Sequence, residues 1–505
     1  MSRHLPQLLA AAGFLAVSAA VLWSVAVSFA ASQERSREYR YLSEALDPVE
    51  EPALSVTWQP SVRPLVREVT PGDAAMVGRA LTQAWRAFAA AADTGETTLL
   101  VDHFAGTALG RTQLAASEAW RDGTRMVVLE QTARPEFVHL DGSVLQIAAR
   151  AATVRYALRD GTLMHYDLSM DEVRTTLTNE TTGWRIVNHE RVGSLSVIAP
   201  PRPDLALPVL KGVNYFPALT PWRQFWPAFD AGLVADDLDL VAGLGGNSVR
   251  IFLPVADFGP GTGGQANLRN LQTFLDLAEG RKISVIPTLF DLRSGYRPAL
   301  WADDVSYLRR VLPVLAAAPA VILVDLKNQP DLDRTAHGAG LVDAWLTTMA
   351  LMVREISPDL PLTIGWSSAD AAPGLIDLVD AVSYHDYAPV AGTSDRLAAV
   401  RAQSRGKPVL VTEIGASSFS LALGIPGSDQ KQASELRDRL AQLSAADGVL
   451  VWTLHDFPKP DPVAVGASPW HQRLQARYGL FDENGQIKPA GLAVATAFGA
   501  PPLSP

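Results

Sequence analysis

The alternation of hydrophobic and polar positions divides the chain into five stretches. The first, residues 1–31, is an almost unbroken apolar run from Leu8 to Ala31, interrupted only by small polar residues such as Ser18, Ser24 and Ser28. It exceeds the about 20 residues that a membrane-spanning helix needs. Residues 32–70 show little periodicity: a charged stretch from Gln33 to Tyr41 leads into Pro48, Pro52, Pro60 and Pro64, the composition of a tether. Residues 71–198 read as a small α+β domain. Val77, Leu81, Trp85 and Phe88 recur at helical spacing within 76–92, and a second helix is expected over 114–120. Strand-like runs follow at 125–132, 137–140, 144–158, 164–178 and 183–194, separated by turn signals such as Asp141-Gly142 and Asp160-Gly161. A proline-rich linker, 199–208, contains Pro200, Pro201 and Pro203. From 209 to 500 short β-rich runs alternate with amphipathic helices. The expected strands are 209–215, 248–253, 283–290, 321–326, 362–366, 381–384, 409–413 and 449–454. Eight β-then-α units over this length predict a (β/α)₈ barrel. An open doubly wound sheet would need a glycine-rich turn after its first strand, and Asn214-Tyr215-Phe216-Pro217 is not one.

The predicted architecture is thus α/β: a transmembrane anchor, a tether, a small α+β domain, a linker and the barrel. Arg3 and His4 precede the apolar run, and Ser28-Phe29-Ala30 resembles a small-x-small cleavage site. The expected location is the inner membrane, single-pass, with the later domains extracytoplasmic or periplasmic. Cleavage at that site would make the protein secreted. The net charge of −10 offers no basic stripe for nucleic acid. With no cysteine, disulfides and thiolate chemistry are excluded. No His-Glu-x-x-His or Gly-x-Ser-x-Gly pattern occurs, so no metal or cofactor is expected.

Candidate chemistry gathers where a barrel keeps its active site, at the C-terminal ends of the strands. The first strand ends at Asn214, the second holds Arg250 and the third ends at Asp291. The fourth reads Asp325-Leu326-Lys327-Asn328-Gln329-Pro330, and the sixth gives His385-Asp386-Tyr387. The seventh gives Glu413-Ile414-Gly415 and the eighth Trp452 and His455-Asp456. These motifs resemble clan-A glycoside hydrolases, in particular the cellulase-like family 5, over the whole barrel. The resemblance implies that Glu413 is the nucleophile of a retaining reaction, with Arg250 as its charge partner. It also implies that Asn328 bonds the sugar 2-hydroxyl, that His385 and Tyr387 supply a His-x-Tyr pair, and that Trp452 stacks under the ring. Asn214 and Asp291 complete the expected substrate-binding set. A guanidinium beside Glu413 is expected to lower its pKa.

The sequence departs from the family at one place. The family has Asn-Glu-Pro where this chain has Asn328-Gln329-Pro330, so an amide, which transfers no proton, holds the acid/base position. Asp291, Asp331 and Asp386 are the candidate substitutes. Two functions remain open: a membrane-anchored glycosidase or transglycosidase acting on β-linked polysaccharide, or a catalytically silent glycan-binding subunit of a polysaccharide synthesis or export system. The segment 457–487, with Trp470, His471, Arg473 and Tyr478, is either a wall of the groove or a packed surface loop. The element order of 71–198 resembles an NTF2-like cone, which implies a binding or dimerisation module and a possible protein partner. Its scattered His103, His139, His165 and His189 read as polar surface or satisfied core.

Overall fold

The computed structural model describes residues 56–180, 183–197, 205–259, 263–422 and 425–501. The expected anchor and most of the tether lie outside the described residues. Among the described residues no helix is long and apolar enough to cross a membrane.

The small domain opens with strand β1 (Val56–Trp58), which pairs in parallel with β2 (Thr124–Val138). The sheet therefore begins inside the stretch read as tether. Helix α1 (Pro71–Thr94) starts at a capping box in which Thr70 and Asp73 satisfy each other's backbone amides, and it stops at Gly95 in the left-handed conformation. Helix α2 (Gly106–Asp122) follows, and then the long antiparallel run of β2, β3 (Val144–Arg159), β4 (Thr162–Glu180) and β5 (Gly183–Ser196). The sequence reading broke β2 in two near Pro135. The strand is continuous there, because the register shifts between Pro135 and Phe137, and a bulge absorbs the missing amide.

The barrel strands are β6 (Leu210–Asn214), β7 (Ser248–Pro254), β8 (Ser284–Asp291), β9 (Val324–Asn328), β10 (Leu362–Trp366), β11 (Val382–Asp386), β12 (Val409–Ile414) and β13 (Gly448–Val451). They pair in parallel in chain order, and β13 closes on β6. Nearly every strand residue is buried, as expected where helices cover one side and barrel packing the other. The helices are α3 (Ala231–Gly243), α4 (Gly264–Gly280), α5 (Trp301–Ala317), α6 (Ala339–Ile356), α7 (Thr393–Gln403), α8 (Asp429–Gln442) and α9 (Pro489–Phe498). After β10 there is only a single turn, Ile376–Leu378, so the expected regular alternation fails at the fifth unit.

The barrel interior is layered. Leu210, Ile286, Leu323, Ala381, Leu410 and Leu450 form an apolar plug at the N-terminal end of the strands. Above it the inward side chains turn polar, with Thr288, Thr363, Ser383, Arg250 and Asp325 all fully buried.

The sheet of the small domain is sandwiched. One face covers α1 and α2; the other packs on α5 and α6 of the barrel, where Tyr156 stacks on Trp301 at 5.3 Å and 16°. Around this ring pair, Arg309 donates to Glu130 at 2.9 Å and the Tyr166 hydroxyl to Thr348 at 2.9 Å. Truncating Trp301 to alanine removes the central ring of the seam. The expected loss is about 3–5 kcal/mol in urea unfolding of the full chain. A loss below about 1 kcal/mol would mean that the seam contributes little to stability.

Candidate active site

The site is organised around Arg250, a fully buried side chain in β7. All five of its N–H donors are used. Nε and Nη2 donate to Asp325 Oδ2 at 3.1 and 2.7 Å, and Nη2 also to Asn328 Oδ1 at 2.8 Å. Nη1 donates to Asn214 Oδ1 at 2.9 Å and to Glu413 Oε1 at 2.6 Å. One planar fork thus spans β6, β7, β9 and β12. Asp325 is saturated further by the Thr288 hydroxyl at 3.1 Å and the Gly365 amide at 2.7 Å. Gly365 is required here, since a Cβ on it would lie 2.6 Å from Asp325 Oδ2 and 3.1 Å from Arg250 Nη2.

The other oxygen of Glu413 accepts from the Tyr387 hydroxyl at 3.0 Å and lies 3.4 Å from Nδ1 of His385. The same imidazole nitrogen lies 2.7 Å from the Gln329 amide nitrogen. One ring therefore links positions 329 and 413. Gln329 occupies left-handed space at φ 47°. The turn follows from the tripeptide: β9 ends at Asn328, the Gln329 amide bonds to the Gly365 carbonyl at 2.7 Å, and Pro330 starts a short helix, Pro330–His337.

These groups border a cavity of about 450 Å³ at the C-terminal mouth of the barrel. Glu413, Gln329, Asn328, Tyr387, Trp452 and Asp291 line it. Trp452 stands on the wall with Phe216, Trp222 and Phe252, and Trp222 and Trp452 centroids are 6.3 Å apart. Tyr478 alone of the four residues singled out in 457–487 reaches the cavity; Trp470 packs instead on Phe419. Asn214, Arg250 and His385 are not on the wall. Each is buried to within 1% of fully, and each holds a neighbour rather than a ligand. The sequence reading of Arg250 as the charge partner of Glu413 holds, but placing all three at the substrate does not, because a strand's end is legible while the depth of a side chain in the barrel is not. Sequence reasoning missed the role of Asp325, which depends on an arginine two strands away.

Burial is the largest influence on the Glu413 carboxyl and raises its pKa; Arg250 and Tyr387 pull against it, and Asp325 adds to the rise. The expected lowering does not occur, because burial outweighs the pull of Arg250. Asp291 has no such guanidinium. It is 6% exposed, its Oδ2 has no hydrogen-bond partner, and burial pushes the carboxyl up to about 6 against the pull of Lys327 and Arg250. The other two candidate acids are engaged elsewhere. Asp386 is clasped by Arg396 and Arg439, and Asp331 accepts from the Ser367 amide at 2.9 Å. Backbone strain gathers at the same place: Phe290 and Leu292, flanking Asp291, and Trp222 and Gln329 on the wall, all have positive φ. Among the described residues no group of His, Asp and Glu is placed to hold a metal ion.

No protein-family model matches the chain, and no curated protein matches it. Similar solved structures include an exo-β-1,4-mannosidase from Opitutaceae bacterium strain TAV5, 22% identical over 57% of this chain, with a TM-score of 0.48. The match covers only 59% of that mannosidase's length. A GH5_18 protein from Streptomyces cattleya, in complex with Manβ1-4GlcNAc, is 22% identical over 59% of this chain and 83% of its own, with a TM-score of 0.45. A GH2 β-galacturonidase from Eisenbergiella tayi is 16% identical over 74% of this chain and 72% of its own, with a TM-score of 0.47. The barrel itself rests on the closed strand order described above rather than on these likenesses.

Two outcomes follow from the electrostatics. Replacing Arg250 by methionine strands two buried carboxylates against each other, for an expected loss of about 3–5 kcal/mol in denaturant unfolding. The Asp291 carboxyl is raised from 3.8 to about 6 in the folded protein, so the folded state binds that proton more tightly than the unfolded chain. Its ionisation therefore erodes stability as pH rises from about 4 to about 6. Thermal unfolding of Asp291→Asn relative to wild type should show a stability gain that grows across that window. A difference independent of pH would refute the assignment.

Proposed function

We propose that this protein is a glycoside hydrolase or transglycosidase, acting on a β-linked glycan by a retaining mechanism with Glu413 as nucleophile and Asp291 as acid/base. The observation that carries the reading is the pair of carboxyls lining one cavity, both raised by burial but differently partnered. Glu413 is held by a guanidinium and a phenol, whereas Asp291 has an unpartnered oxygen. In the first step the Glu413 oxygen attacks the anomeric carbon while Asp291 gives its proton to the departing oxygen. The glycosyl ester on Glu413 is then attacked by water, or by an acceptor hydroxyl, whose proton returns to Asp291. Trp452 offers its face to the sugar, and Asn328, fixed by Arg250, offers its amide nitrogen.

The anchor at 1–31 belongs to this reading. It would hold the barrel at a membrane, outside the cytoplasm, on the tether that follows. The small domain is read as NTF2-like, and its sheet is already occupied on one face by the barrel. One observation favours a silent glycan-binding subunit instead: Gln329 stands at the family's acid/base position and is engaged by His385.

The two readings separate on an activated aryl β-glycoside and its unactivated alkyl counterpart. The enzyme predicts wild-type turnover of the aryl substrate and none by Glu413→Ala. Asp291→Asn should lose about 10²–10⁴-fold on the alkyl glycoside, lose far less on the aryl one, and lose the alkaline-side limb of the pH profile. Gln329→Glu should not be needed for activity. Retained oligosaccharide affinity without wild-type turnover on either substrate would sink the enzymatic reading and leave the binding one.

A further inference from the structure

The small domain encloses a second cavity, of about 500 Å³, between α1, α2 and the sheet. Its existence follows from how α2 is turned. Ala108, Thr112, Ala115 and Ala119, spaced four, three and four apart, face the cavity. The large apolar residues Leu114 and Trp120 of the same helix are 57% and 48% exposed. A helix that served packing alone would be rotated the other way, with leucine and tryptophan inward and alanines outward. The space is thus kept open by the choice of residues. It is a separate site, walled off from the barrel mouth by the sheet.

The lining also has a charge of its own. It contains Arg111, Arg125 and Arg155 and no aspartate or glutamate, in a chain with 53 acidic and 43 basic residues. Two of the three arginines are compensated from behind. Arg155 donates to Ser169 at 2.7 Å and pairs with the buried Asp171, and Arg125 pairs with Asp93 at 3.2 Å. Arg111 is exposed at the rim and has no ion pair among the described residues. Asp171 is fully engaged by Arg155, Ser169 and Ser194, so it locks Arg155 in place. The inner wall is aromatic. Trp85 meets the His189 ring edge-on at 4.7 Å, and Phe88 lies beside Trp85. Thr175 holds Nδ1 of His189 at 2.8 Å, which fixes the ring that lines the space. His165 and His189, read from sequence as surface or satisfied core, both line the space.

We propose that this cavity is a binding site for a compact organic anion: a ring-bearing carboxylate whose apolar body enters between Trp85, Phe88 and the alanine face of α2, and whose charged end meets Arg111 and Arg155. The volume lies within the range of small-molecule sites, and the walls are apolar with a few convergent polar groups. A neutral ligand would leave the surplus guanidinium without a counter-charge; an inorganic anion would leave the apolar wall unfilled.

The test uses the full chain and two probes of the same shape, 1-naphthoate and the uncharged 1-naphthalenemethanol, in titration calorimetry. The expected result is saturable one-to-one binding of naphthoate, with the alcohol about tenfold weaker. Arg111→Ala should cost naphthoate about tenfold and leave the alcohol unchanged. Ala115→Leu, which fills the space, should abolish binding of both while keeping the wild-type circular dichroism. If that variant misfolds, the comparison of probes on wild type and Arg111→Ala still decides. Absence of saturable naphthoate binding, equal affinity for the two probes, or indifference to Arg111→Ala would overturn the proposal.

Discussion

Arg250 is the constraint on which the barrel mouth depends. A guanidinium offers five donors in one plane, and here all five are taken by residues from three other strands. No lysine could replace it, because an ammonium has three donors and no fixed fork. The surroundings yield to this group. Gly365 gives up its side chain so that Asp325 can approach, and Phe252 lies under the guanidinium at 4.7 Å. The polar layer above the apolar plug is in this sense a single hydrogen-bonded unit. Its members are expected to respond to mutation together rather than additively.

The same unit sets the charge of the cavity. One cation is shared by two buried carboxylates, so the cluster of Arg250, Asp325 and Glu413 carries an excess negative charge when both are ionised. A third carboxyl close by forms no ion pair with a guanidinium, and burial raises it to about 6 against the pull of Lys327 and Arg250. That is the position of Asp291. Burial thus raises both carboxyls, and at Glu413 the guanidinium and the Tyr387 hydroxyl offset part of that rise.

Much of this was legible in the sequence, and for a physical reason. Barrel strands are buried on both sides and read as apolar runs, so a polar residue at a strand's end stands out: Asp291, Asn328, Glu413 and Tyr387 were found this way, and all four line the cavity. What the pattern does not encode is depth and partnership. Asn214, Arg250 and His385 carry the same signal yet lie beneath the wall, and Asp325 matters because of a contact 75 residues away in the chain. Pro135 suggested a break that a bulge accommodates. The second cavity was hidden for a related reason. Its alanines and arginines are plain in 108–125, but only the side on which the sheet lies decides whether that face is empty space or solvent.

The amide at position 329 can now be placed within these constraints. Gln329 and Glu413 share one imidazole nitrogen, so whatever stands at 329 feels the charge on 413 at close range. Burial, and secondarily the charge of Arg250, hold His385 well below its ordinary pKa, so the ring is neutral and supplies no cation. A glutamate at 329 would add a carboxyl beside Glu413, which already shares one guanidinium with Asp325, and a proton would relieve it. An amide keeps the hydrogen bond and the turn geometry without asking for that proton.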